Sequence, residues 1–396
     1  MTEKLYYADS YLKEFTASVK SVDKAEDYYH VKLDRTAFYP TSGGQLFDTG
    51  CISDEKVIDV IESNDDVIHV LETKPPFQSG DEVNSRIDWE RRRDNMQKHT
   101  GQHILSQAFI KVCDAATISA RLGEEDSTID LDISQLNNNL VIETENLANR
   151  IIFENRTVST KFAPVDELDN YPLRKIPDRS EDKYRIIIID DFDWSACGGT
   201  HCSTTGSVGI IKITGQEKIR GNLRFHFLTG LKALEDYRWR FNQVEDISNL
   251  FSCHARDSFR LIEHIIAENN NLRREKDELR KKLLPVLIEE WVANPKEING
   301  HKLISIDLSG EDFSFARDAG LCMINNHNAI VLIGVDDRLL TAVSKSIPIS
   351  ALDIMNKASQ IFGGKGGGSP ELAQGGGFSP DDIKFLIAHP EKVIDI

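Results

Sequence analysis

Cysteine is scarce in this sequence and scattered. Six residues stand at positions 51, 113, 197, 202, 253 and 322 of 396, and only Cys197 and Cys202 lie close together, so no disulfide framework is expected. No apolar run approaches the roughly 18 residues of a membrane span. The start "MTEKLYYADSYLKEF" lacks the basic-then-apolar order of a signal peptide, and a cytoplasmic protein with reduced thiols is expected. Positive charge is also in deficit. A formal net charge of −17 argues against a general nucleic-acid binder while leaving room for a local basic face. Two motifs are missing as well. The run "GGKGGGSPELAQGGG" has no Lys-Ser/Thr after a G-x-x-x-x-G, which excludes a Walker loop, and no H-E-x-x-H glutamate marks a zinc peptidase.

What remains is an ordinary globular composition, 40% hydrophobic and 28% charged, with chain enough for two to three domains. Residues 1–88 carry short alternating segments such as "VIHVLE", separated by Gly, Pro and Asp, and predict a small β-barrel. Within it, Gly43 and Gly44 of "FYPTSGGQLFDTG" permit a tight bend. From Trp89 the period changes to 3.6, with Met96, Ile104, Leu105, Ala108, Phe109 and Val112 on one stripe. A hairpin, a helix and further strands follow to residue 230, giving an α+β layer, an α/β fold in the broad sense, of helices on an antiparallel sheet.

His99 and His103 are four apart on that first helix, so their imidazoles leave one face a turn apart. Cys197 and His201 are four apart on the glycine-rich bend "SACGGTHC". Either pair alone reads as ordinary core and surface. Together they make a His₃Cys set of the kind tetrahedral zinc prefers, one ion per chain. Cys202 is an alternate ligand of lower rank, since neighbouring side chains point apart and buried cysteine behaves as a small hydrophobe.

Residues 231–295 turn helical and charged. Ile265, Leu272, Leu279 and Val286 recur at sevens, but Asn269 and Lys276 break the seam and Pro285 is expected to interrupt its end. A helical arm is predicted, with a stripe on which a second copy could pair. A third, α/β unit starts near Asn299, within 296–396, and its eight glycines between Gly363 and Gly377 suggest either a flexible loop or backbone N–H groups offered to phosphate.

The ordered motifs "FYPTSGGQLFDTG", "HTGQHILSQAF", "SACGGTHCSTTGSVGIIKI" and "GNLRFHFLTG" resemble the editing half of alanyl-tRNA synthetase and its free-standing editing relatives. "GGKGGGSPELAQGGG" resembles the signature of that enzyme's C-terminal domain. The resemblance covers the whole chain and implies the long form of the free-standing editing proteins. It implies hydrolysis of seryl-tRNA(Ala), with glycyl-tRNA(Ala) as a further substrate, and a zinc ion on His99, His103, Cys197 and His201. It further implies that Thr36 touches the serine hydroxyl and that Gln45 lines the pocket.

Such a partner needs basic contacts. Arg91, Arg92, Arg93 and Lys98 beside the histidines, Lys218, Arg220 and Arg224 after the ligand turn, and Lys365 in the glycine run are the candidates to hold tRNA phosphates. The competing reading is a zinc-containing tRNA-binding protein without catalysis.

Overall fold

The computed structural model describes residues 1–64, 66–178, 180–298 and 300–394. The start of the third unit expected near Asn299 therefore falls outside the described residues. Two compact units divide the chain, Met1–Leu250 and Phe251–Ile396.

In the first unit, six strands close into a barrel in the order Glu14–Ala25, Tyr28–Leu33, Asp66–Leu71, Glu55–Ser63, Gly50–Ile52, Glu82–Ile87. Alternation drives this. In Glu82–Ile87 every second residue, Val83, Ser85 and Ile87, is buried, and Val31, Leu33, Val57 and Leu71 from neighbouring strands fill the interior. Between strands, the loop after Thr36 leaves the barrel and turns at Gly43 and Gly44, both at positive φ, where Ser42 and Gln45 exchange backbone hydrogen bonds. Gly44 has a second reason to be glycine: a Cβ there would stand 2.5 Å from the Ala120 carbonyl oxygen.

Ala120 belongs to the hairpin Thr117–Leu122 and Ser127–Leu131, which joins Asn222–Thr229 and Ile211–Ile219 in a four-stranded antiparallel sheet. Helix α1 (Trp89–Cys113) starts at an Asp88 cap, lies against this sheet, and is buried along most of its length. Ile104, Leu105, Ala108 and Phe109 are sealed there, each large side chain contributing about 1.5–3 kcal/mol. Midway, a Cβ on Gly101 would lie 2.7 Å from Thr229 Cγ2, so the glycine sets how closely helix and sheet approach. Helix α2 (Asn138–Phe153) covers the same core, and a second sheet of Val158–Pro164, Lys183–Ile189 and Asp193–Ala196 leads into the cysteine bend. Helix α3 (Gly230–Phe251) follows.

In the second unit helix α4 (Ser258–Val292) runs through Pro285, correcting the expected interruption. Proline forfeits only its bond to the carbonyl four residues back, on exposed Lys281, while the last turn buries Ile288 in the core with Trp291 and Val292 packed beside it. Ile265, Leu272, Leu279 and Val286 are exposed. A six-stranded sheet carries helices α5 (Phe313–Asn326), α6 (Ala351–Phe362) and α7 (Pro380–Ala388).

The glycine run is not a flexible loop. Lys365–Gly368 and Leu372–Gly376 pair as antiparallel strands at the sheet's edge. A Cβ at Gly366 would meet Met355 Cγ at 2.5 Å and one at Gly375 would meet Met355 Sδ at 2.7 Å, whereas Gly367 faces open space. Glycine here lets α6 lie flat on the hairpin. Gly366→Ala is therefore expected to destabilise this unit by about 1–3 kcal/mol through overpacking, and Gly367→Ala by under about 0.5 kcal/mol. Thermal unfolding of the full chain checks the contrast, and equal midpoints for the two variants would refute it.

Candidate metal centre

Two elements converge behind the barrel loop. Helix α1 presents His99 and His103, with ring centroids 5.2 Å apart, and the bend after Asp193–Ala196 presents Cys197 and His201. One nitrogen or sulfur from each of the four residues lies within 4.8 Å of the others. Cys197 Sγ stands 3.3 Å from His99 Nε2 and 3.4 Å from His201 Nε2. Gly199 makes the approach feasible, since a Cβ there would sit 2.1 Å from His99 Cε1. From behind, the Arg185 guanidinium donates to the carbonyls of Cys197 at 3.0 Å and Gly199 at 2.7 Å and so fixes the bend.

Polar partners set the imidazole faces. Gln45 Oε1 lies 2.8 Å from His99 Nδ1 and also accepts from the Thr200 amide at 3.1 Å, while Gln45 Nε2 donates to Thr200 Oγ1 at 2.9 Å. An amide oxygen only accepts, so His99 carries its proton on Nδ1 and turns the Nε2 lone pair toward Cys197. Thr100 Oγ1 stands 3.3 Å from His201 Nδ1, and Asp193 Oδ2 stands 3.4 Å from His103 Nδ1.

The electrostatics favour ligation. Burial alone would raise the Cys197 thiol, but the polar influence of the His99, His201 and His103 imidazoles packed around its sulfur outweighs it and holds the thiol well below its usual range. Burial, aided by repulsion from His99 and His103, drives His201 well below the usual imidazole value. A thiolate beside buried imidazoles is a donor set that could hold a metal ion of zinc's softness. Cys202 lies in the hydrophobic core instead, its thiol pushed up to about 12 by burial.

A cavity of about 660 Å³ opens on the cluster. His99, His103, Cys197, Tyr39, Arg174 and Lys175 are among the side chains on its wall.

The structure distributes the other sequence candidates differently. Gln45 sits behind His99 and is absent from the cavity wall, which corrects its expected lining role. Thr36 is also corrected. Its hydroxyl is wholly buried, accepts from the Phe38 amide at 3.1 Å and meets His69 Nε2 at 2.8 Å. Because His69 Nδ1 gives its proton to the Val31 carbonyl at 3.0 Å, and burial pushes this imidazole down to about 4, Nε2 is the acceptor and Thr36 the donor. The hydroxyl is thus engaged inside the barrel, and Thr36 is not among the residues on the cavity wall.

Among the basic candidates, Arg92 is wholly buried on Asp48 and Lys98 is buried against Asp94 and the carbonyls of Gly123 and Glu124. Both are buried against partners within the fold, which corrects the expectation that they hold tRNA phosphates. Arg91 pairs with Glu124, Arg93 with Glu90 and Arg224 with Asp130. Lys218, Arg220 and Lys365 are exposed. Sequence reasoning missed Asp193, Arg174 and Arg185. The alternation Asp193, Ser195, Cys197 was the available signal for the first of these.

Comparison with known proteins bears on the arrangement. Residues 2–91 match the family described as tRNA synthetases class II (A), residues 184–225 the threonyl and alanyl tRNA synthetase second additional domain, and residues 303–395 the DHHA1 domain. The Alanyl-tRNA editing protein AlaX-L of Pyrococcus horikoshii is 30% identical, over 100% of this chain and 97% of its own length. The alanine--tRNA ligases of Pyrococcus abyssi and Pyrococcus furiosus are 31% and 32% identical over 94% of this chain, which spans 42% of each. A solved structure, the C-Ala domain from Aquifex aeolicus alanyl-tRNA synthetase, aligns with 25% of this chain and 97% of that one, at 22% identity and a TM-score of 0.22, too low to bear on the fold.

Proposed function

The chain belongs to the alanyl-tRNA editing proteins, and from that premise we propose that it is a zinc-dependent deacylase that removes serine, and glycine, from mischarged tRNA(Ala) by hydrolysing the aminoacyl ester. The observation that carries this reading is the convergence of His99, His103, Cys197 and His201 within 4.8 Å, with His99, His103 and Cys197 on the wall of a cavity. Zinc held by these four would supply Lewis acidity beside the ester. The chain's own side chains do the rest: Gln45 and Thr100 hold two imidazoles in register, Arg185 holds the bend, and the walls confine the acyl end. An aminoacyl ester is already labile, so positioning and charge stabilisation suffice without a side-chain nucleophile.

The competing reading is a structural zinc in a tRNA-binding protein without catalysis, since four protein ligands close a tetrahedron. The open cavity against Cys197, His99 and His103 favours catalysis. In this reading the barrel (1–88) and the zinc layer (89–230) form the editing domain, residues 231–295 an arm that offers a seam for a homodimer, and residues 296–396 a tRNA-holding domain. Lys218, Arg220 and Lys365 remain as phosphate contacts. Among the described residues no helix is long and apolar enough to cross a membrane, in keeping with work on tRNA in the cytoplasm. Deacylation of seryl-, glycyl- and alanyl-tRNA(Ala) measured side by side, on metal-free and zinc-reloaded protein, tests the proposal. Tight tRNA binding with no zinc-dependent release of serine would support the structural alternative.

Thr36→Val gives a sharper test of how serine is chosen. The substitution leaves His69 Nε2 buried without its donor, which costs about 1–3 kcal/mol of stability. Seryl- and glycyl-tRNA(Ala) should lose rate alike, because the damage is to the barrel. A loss confined to the seryl substrate in single-turnover assays would return Thr36 to substrate recognition.

A further inference from the structure

We propose that Asp193 is the positioning residue that fixes His103 as a ligand, an assignment that rests on the zinc reading above. All three imidazoles of the cluster have Nδ1 beside a polar partner, and the three partners differ in kind. His99 meets an amide oxygen at 2.8 Å, His201 a hydroxyl at 3.3 Å and His103 a carboxylate oxygen at 3.4 Å. Asp193 is the charged one.

That carboxylate is built into the fold. Asp193 is 1% exposed, receives the Ser195 hydroxyl at 2.9 Å and lies 3.3 Å from Arg174 Nε. Arg174 in turn donates through Nη2 to Ser195 Oγ at 2.8 Å and reaches the His103 carbonyl with Nη1 at 3.4 Å. One guanidinium thus ties together the carboxylate, its hydroxyl partner and the backbone of the helical turn that bears His103. The strand Asp193–Ala196 buries its residues alternately, which sends Asp193 and Ser195 to the same inner face two residues ahead of Cys197.

The consequence is chemical as well as geometric. His103 Nδ1 has no aligned hydrogen-bond partner, and Asp193 Oδ2, 3.4 Å away, is the anionic oxygen beside its N–H. A carboxylate there holds the proton on Nδ1, leaves the Nε2 lone pair for the metal and makes it a stronger donor. Hydroxyl and amide partners fix orientation without adding charge. His103 is therefore the ligand whose bond to the metal depends most on the residue behind it.

Zinc and cobalt(II) binding by the full chain tests this. Asp193→Asn preserves shape and should weaken zinc about 10- to 100-fold in chelator competition. In the cobalt-loaded protein it should change the visible ligand-field bands while the thiolate charge-transfer band of Cys197 persists. Ser195→Ala, which removes a donor to Asp193 without touching His103, should lose less. A folded Asp193→Asn protein with zinc affinity within about twofold of the parent and an unchanged cobalt spectrum would overturn the assignment. Should that variant fail to fold, long-range ¹H–¹⁵N spectra of the zinc-loaded parent decide: a proton on His103 Nδ1 with Nε2 bound supports the proposal, and metal on Nδ1 refutes it. A parent protein that takes up no zinc or cobalt would instead remove the zinc reading itself, whatever the variants do.

Discussion

Replacing Gly199 by alanine is expected to strip the protein of most of its zinc and to cost about 10²-fold or more in seryl-tRNA(Ala) deacylation. The new Cβ would stand 2.1 Å from His99 Cε1, 2.3 Å from His99 Nδ1 and 3.0 Å from Gln45 Oε1. Relief by moving the ring is blocked on both sides. Gln45 holds Nδ1 at 2.8 Å, and Cys197 Sγ faces Nε2 at 3.3 Å. Relief by moving the bend breaks the Arg185 bonds to the Cys197 and Gly199 carbonyls. Either way one ligand leaves the cluster by something near an ångström, and ligands misplaced by that much lose the ion or its aim. Gly198→Ala is the control, because its Cβ would meet only the Tyr7 side chain, its hydroxyl at 3.3 Å and Cε1 at 3.9 Å. Zinc content by elemental mass spectrometry and the deacylation rate should fall together in the first variant and change little in the second. Full zinc occupancy in Gly199→Ala would mean that the bend is looser than its contacts imply.

The four-residue cluster was legible because both pairs obey a local rule. Four-residue spacing on a helix and a cysteine–histidine bend each put two donors side by side, and the hairpins around them follow from alternation and turn residues. What lay hidden depends on burial, which a run of charges does not announce. Arg91, Arg92 and Arg93 are consecutive on α1, so the side chains leave the axis about 100° apart. Arg91 and Arg93 therefore meet Glu124 and Glu90 at the surface while Arg92 points into the interior. Asp193 was concealed in "IDDFDW", where an acidic turn looks like solvent-facing polarity. Composition misled in the C-terminal unit for a related reason: glycine serves close packing as well as flexibility, and only the position of Met355 distinguishes the two at Gly366 and Gly375.

Arg92 makes the other large prediction. Both it and Asp48 are wholly buried, with Arg92 Nε 3.0 Å from each carboxylate oxygen and Nη2 2.6 Å from Oδ2. The same guanidinium donates to the carbonyls of Ser10 and Ala37, and Asp48 also accepts from the Tyr39 amide at 2.6 Å. The pair thus clasps α1 to the barrel loop that carries Tyr39 and Gln45. Arg92→Met should cost about 3–5 kcal/mol, since it strands a buried carboxylate and two carbonyls. Asp48→Asn should cost less, and the double variant should fall short of the sum by about 0.5–3 kcal/mol, the signature of direct coupling. Urea unfolding supplies the energies, with zinc retention measured in parallel because Gln45 rides on the same loop. The result separates two roles for one arginine. A clasp loses stability and leaves the salt dependence of tRNA binding alone, whereas a phosphate contact would reduce that dependence by about one ion and leave stability intact.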